Sequence, residues 1–145
     1  MSRPSAAPRR RRLRPAAEAG AYDVISILVF VIIGRFNHDD GLSVGGIFTT
    51  FWPFAVGAAL GWAIGYLVSH LRSGDLDEPD FRPSRLLPEG VVIWLSTLII
   101  GMVMRDQFGQ GIAVSFVIVA TIVLGVFLIG WRLVRKSVAR RRAAA

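Results

Sequence analysis

Residues 44–68 contain no charged side chain, and three more apolar segments, 24–34, 91–104 and 112–131, accompany this run within 145 residues. A helix needs about 20 mostly apolar residues to cross the hydrocarbon core. The second and fourth segments meet that length unaided. The first and third meet it only if polar residues at their ends are drawn into the helix. The chain is 53% hydrophobic with a mean hydropathy of +0.53, and the excess lies in these blocks.

The positive charge reports how such spans are oriented. Of 17 Lys and Arg residues, six lie in the N-terminal tail (Arg3, Arg9, Arg10, Arg11, Arg12, Arg14) and six at the C-terminal end (Arg132, Arg135, Lys136, Arg140, Arg141, Arg142). Three more, Arg72, Arg82 and Arg85, lie between the second and third segments. Only Arg35 and Arg105 fall on the opposite side. Cytoplasmic loops carry the positive excess, so four spans with both termini and the central loop in the cytoplasm are expected, in the cell (plasma) membrane. An odd number of spans would scatter these clusters to both sides.

The fold class that follows is an all-α membrane protein, with four transmembrane helices as two helical hairpins. Residues 1–16 are expected to form a disordered basic cytoplasmic tail. The transmembrane domain is expected over 17–135, with spans at about 18–36, 44–70, 89–105 and 112–134 and a cytoplasmic linker at 71–88. Residues 136–145 form a second basic tail. Pro53 lacks an N–H and should kink the second helix. Glu89 can sit at the positive end of the third helix dipole. Topology accounts for the net charge of +7, so no nucleic-acid partner is expected; the partner is the lipid bilayer, with attraction of the Arg9–Arg14 run to anionic lipid as an addition.

Gly57, Gly61 and Gly65 repeat at spacing four and give the second span a smooth stripe, along which another backbone can approach. A neighbouring span of the same chain is the favoured occupant of that stripe. A second copy, or another membrane protein, is the alternative. An internal repeat is one reading of two parallels, chance recurrence of Gly and Ile in spans being the other: Ile32-Ile33-Gly34 followed by Arg35 resembles Ile99-Ile100-Gly101 followed after three residues by Arg105, and Gly61-Trp62 resembles Gly130-Trp131, both at offsets near 70 residues.

The candidate polar site comprises Asp23, Arg35, His38, Asp39, Arg105 and Asp106. Glu89 and Arg105 are about 24 Å apart along a helix, and Asp23 and Arg35 about 18 Å, against a core of about 30 Å. These charges are therefore drawn toward the membrane. Arg35 and Arg105 reach the same outer level, where they can anchor to headgroups and pair with the turn aspartates, or form a vestibule for an anionic group or a cation guided by carboxylates. Asp23 is expected to cap or anchor the first helix in preference to pairing with Arg132 or relaying protons. The two histidines, His38 and His70, fall on opposite sides, cysteine is absent, and no nucleophile has a base and an orienting group. Neither a cofactor, a metal nor an enzyme activity is expected.

Several motifs together carry a family resemblance: Asp23 with Phe30, Gly34-Arg35 and His38; Trp52-Pro53-Phe54 with Gly57 and Gly61-Trp62; Gly101-Met102 with Arg105, Gly109-Gln110-Gly111 and Ser115-Phe116; and Gly130-Trp131-Arg132. Over residues 22–132 the chain resembles an uncharacterised prokaryotic integral membrane protein family, domain of unknown function 3054. The resemblance implies a small multi-pass membrane protein and carries no activity, substrate or catalytic residue. The function expected from the residues is that of a non-enzymatic, self-associating or subunit membrane protein, with a small transporter or channel using the outer Arg/Asp cluster as the alternative.

Overall fold

The computed structural model describes residues 10–37, 41–73 and 81–144. Four helices account for most of them: α1 (Arg10–Asn37), α2 (Val44–Ser73), α3 (Val91–Gln107) and α4 (Val114–Ala143). Each contains a stretch long and apolar enough to cross a membrane, the third counted with the turn before it: Pro15–Phe36, Val44–Arg72, Leu86–Gln107 and Val114–Ala143. The chain is thus a multi-pass membrane protein.

Several ends differ from expectation. Helix α1 begins inside the segment 1–16 expected to be disordered. Arg and Ala are among the strongest helix formers, and Arg10–Arg12, Arg14 and Ala16–Ala17 propagate the helix through Pro15. Helix α4 likewise continues to Ala143, through most of the C-terminal basic tail. Helix α2 passes through Pro53 and ends three residues beyond the expected 70. Glu89 lies in a wide turn, Leu86–Gly90, in which Leu87 has extended backbone and the Leu87–Pro88 bond is cis.

Chain order makes two hairpins, but the tightest packing lies between them, where α2 meets α3. The glycine stripe is the cause. A Cβ on Gly57 would lie 2.8 Å from the Ser96 carbonyl oxygen, and one on Gly61 would lie 2.9 Å from the Ile93 Cα. One on Gly65 would lie 3.1 Å from the Phe81 ring. Where two backbones come this close, dispersion acts along the full contact and compensates the poor helix propensity of glycine. Within the chain, α3 occupies the stripe at Gly57 and Gly61, and Phe81 from the segment before α3 lies over Gly65.

The core is built on helical rows of spacing four. On α4, Ala120, Leu124, Leu128 and Arg132 are all fully buried; on α1, Ala19, Asp23, Ile27 and Val31 form the facing row. Phe30, Phe54 and Phe116 fill the middle, with ring centroids 5.3–6.3 Å apart. Leu28, Ile32, Ile64, Ile99, Ile122 and Val126 face outward. In water such a surface would drive association; against lipid it is the expected exterior.

Candidate functional site

One end of the bundle carries residues 41–43 and 108–113. There the ends of α1 and α3 and the starts of α2 and α4 line a half-open cavity of about 640 Å³, with both Arg35 and Arg105 on its wall. Each arginine lies two residues before the end of its helix, Arg35 on α1 and Arg105 on α3. Phe30 and Phe116 contribute apolar wall, while Thr50, Gln110 and Ser115 add polar groups.

The arginines are positioned differently. Arg35 donates from Nε to the Gly41 carbonyl oxygen at 2.9 Å and from Nη1 to Thr50 Oγ1 at 3.4 Å. Its guanidinium lies against Gly46, where a Cβ would collide with it. Arg105 donates from Nη1 to Gln110 Oε1 at 3.0 Å, and its guanidinium lies 4.4 Å from the Phe116 ring centroid. Gln110 reaches it because Gly109 and Gly111 adopt φ of +68° and +71°, turning the chain back over the end of α3. The Nε of Arg105 is buried and has no hydrogen-bond acceptor among the described residues.

Of the other expected members, His38 and Asp39 lie outside the described residues. Asp106 is exposed on the last turn of α3 and does not line the cavity; Gln110, not Asp106, holds Arg105.

Asp23 belongs elsewhere. It lies toward the other end of the bundle and is 2% exposed, so the expectation of an interfacial cap is corrected. Arg132 grips it with a parallel fork, Nη1 to Oδ1 and Nη2 to Oδ2, both at 2.8 Å. The Trp131 indole donates to Oδ1 at 3.0 Å and the Trp62 indole to Oδ2 at 2.9 Å. Four donors thus fill the acceptor positions of one carboxylate. Arg132 is itself fully buried, and it also donates from Nε to the Pro83 carbonyl oxygen at 2.9 Å and from Nη1 to that of Leu128 at 2.6 Å. Its guanidinium carbon lies 4.3 Å from the Trp131 ring centroid. The paired Gly-Trp motifs converge on a single residue, and α1, α2, α4 and the segment before α3 are tied at one point.

The sequence offered Arg132 as a cytoplasmic charge and, as the less-favoured alternative, as the partner of Asp23. A signal for its burial was present. Asp23 falls on the row of Ala19, Ile27 and Val31, and Arg132 on that of Ala120, Leu124 and Leu128, so each interrupts an apolar stripe at core register. A charge in that position is stable only when paired.

The pattern of a family described as "Protein of unknown function (DUF3054)" matches residues 20–135. No curated protein and no solved structure matches the chain.

Proposed function

The chain belongs to the DUF3054 family of proteins of unknown function, and we propose that this member is a small non-enzymatic carrier that admits an anionic solute between Arg35 and Arg105. The observation that carries this reading is the buried, acceptor-less Nε of Arg105 on the wall of a cavity that also holds a second arginine. A charged donor buried without an acceptor is costly. An anionic oxygen in the cavity removes that cost, and guanidinium geometry suits carboxylate or phosphate groups. Ionisable groups within spans characteristically mark solute pathways. The phenylalanine cluster and the Asp23–Arg132 clasp would close the path toward the other end, as one state of alternating access requires.

The same reading places both termini in the cytoplasm of a plasma-membrane protein, with the cavity facing outward; the charge asymmetry supports it. Because the chain has no cysteine, single cysteines introduced at Ser2 and Gly41 provide a clean test. Impermeant maleimide added to intact cells should label the second and spare the first; the reverse pattern overturns the orientation. The glycine stripe that motivated the self-association reading packs against α3 and Phe81 of the same chain.

Ligand binding is tested by the thermal stability of the purified protein against phosphate, sulfate and small carboxylates. At least one anion should raise the melting temperature. Arg105→Gln should weaken that response about tenfold or more, the equivalent of one charge-assisted hydrogen bond of about 1.5–3 kcal/mol, with Arg105→Lys retaining part. Identical responses in the wild type and Arg105→Gln would remove the proposal.

A further inference from the structure

A second cavity, at the end of the bundle where α1 begins and α4 ends, has a different chemistry. It measures about 260 Å³ and lies between the last turns of α2 and the turn that begins α3, with Ser69, Arg72, Arg85 and Glu89 among its lining residues. Glu89 is 3% exposed, and its Oε2 is buried with no hydrogen-bond partner among the described residues. Nor does Glu89 form an ion pair among them. This contrasts with Asp23, the other buried carboxylate among the described residues, where four donors converge.

We propose that this cavity binds a zwitterionic group, a primary ammonium seated on Glu89 with a phosphate facing Arg72, as in the headgroup of an aminophospholipid. Three features converge on that chemistry. An isolated buried carboxylate costs several kcal/mol, and a donor cation offsets this. The surroundings favour an ammonium over a metal ion: Glu89 is the only carboxylate among the described lining residues, and two arginines share the cavity. Ser69 Oγ donates to the Tyr66 carbonyl oxygen at 2.8 Å, leaving its lone pairs to accept from an N–H.

The arginines supply the opposite half. Arg72 is an exposed residue in the last turn of α2, and its side chain has no ion-pair or hydrogen-bond partner among the described residues. A ligand with its cation inward and its phosphate at the rim matches this order of charge. The volume suits a headgroup without acyl chains. Leu71 and Leu87, adjacent in sequence to the lining residues Arg72 and Pro88, are 74% and 67% exposed and offer apolar surface for chains that stay in the bilayer. This site stands apart from Arg35 and Arg105, so neither proposal depends on the other.

The test is native mass spectrometry of the full chain in detergent, supplied with equal amounts of phosphatidylethanolamine, phosphatidylcholine and phosphatidylglycerol of matched chains. The first should be retained at least tenfold over the second, whose methylated nitrogen has no N–H to donate. Glu89→Gln should abolish that preference. Arg72→Gln, at an exposed position where folding is not at stake, should weaken retention of phosphatidylethanolamine several-fold. Displacement by soluble phosphoethanolamine at micromolar concentration would identify a free zwitterion as the preferred source; displacement only at high millimolar concentration would identify the lipid. Equal retention of the ethanolamine and choline lipids, or an unchanged preference in Glu89→Gln, overturns the proposal. So does labelling of Glu89 by a hydrophobic carbodiimide at an undiminished rate in the presence of phosphatidylethanolamine, since the lipid would then leave the carboxyl uncovered.

Discussion

Replacing Arg132 by Met should destabilise the protein by about 3–5 kcal/mol, the cost of leaving one partner of a buried ion pair alone. The fork from Arg132 provides two of the four hydrogen bonds to Asp23, and the remaining indole donors carry no formal charge. The carbonyl oxygens of Pro83 and Leu128 also lose a donor. Removing both charges together is a different case, because no uncompensated ion remains. Asp23→Leu combined with Arg132→Met should therefore recover most of the loss, leaving the cost of imperfect packing and of two unbonded indole N–H groups. Melting curves in one detergent for the wild type, both single variants and the double variant give the coupling directly. A single variant melting with the wild type would show that the clasp contributes little to stability.

Gly61→Leu should have a still larger effect by another route. Even the Cβ of alanine would lie 2.9 Å from the Ile93 Cα, and a backbone atom in a packed helix cannot move aside as a flexible side chain can. Overpacking of this kind costs about 1–3 kcal/mol, expected for Gly61→Ala. The full leucine side chain must force α2 and α3 apart and should prevent recovery of folded protein. The distinguishing readout is mass: the milder Gly61→Ala should melt earlier than the wild type without changing the particle mass in gentle detergent. A change in oligomer mass at unchanged monomer stability would place the stripe at an interface between copies.

Both predictions concern features that the chain announces only in part. The three glycines signalled close packing, but spacing alone does not name the occupant; α3 took that place because its Ile93–Thr97 backbone runs alongside the stripe. The pairing of Arg35 with Arg105 on one cavity followed from their common depth at the ends of the first and third spans. Gln110 was the missed member, because its reach to Arg105 depends on two positive-φ glycines and not on any helical register. Asp23 was assigned to the interface by counting residues from the end of the apolar run. That count overlooked the apolar row that extends below it to Ala19 and the partner row on α4.

The sequence by itself determined the membrane-spanning class, the four helices and the family. Those properties depend on local quantities: the length of apolar runs, helix-forming residues and motifs within single segments. It also contained the charge asymmetry on which the proposed orientation rests. Tertiary structure alone decided which charges are buried and with which partners. A carboxylate 109 positions from its arginine, or Glu89 in a cavity made by two helices, depends on how helices rotate and approach. That choice is made by close packing of small residues and by the cost of leaving a buried charge unpaired, neither of which is a property of any one segment.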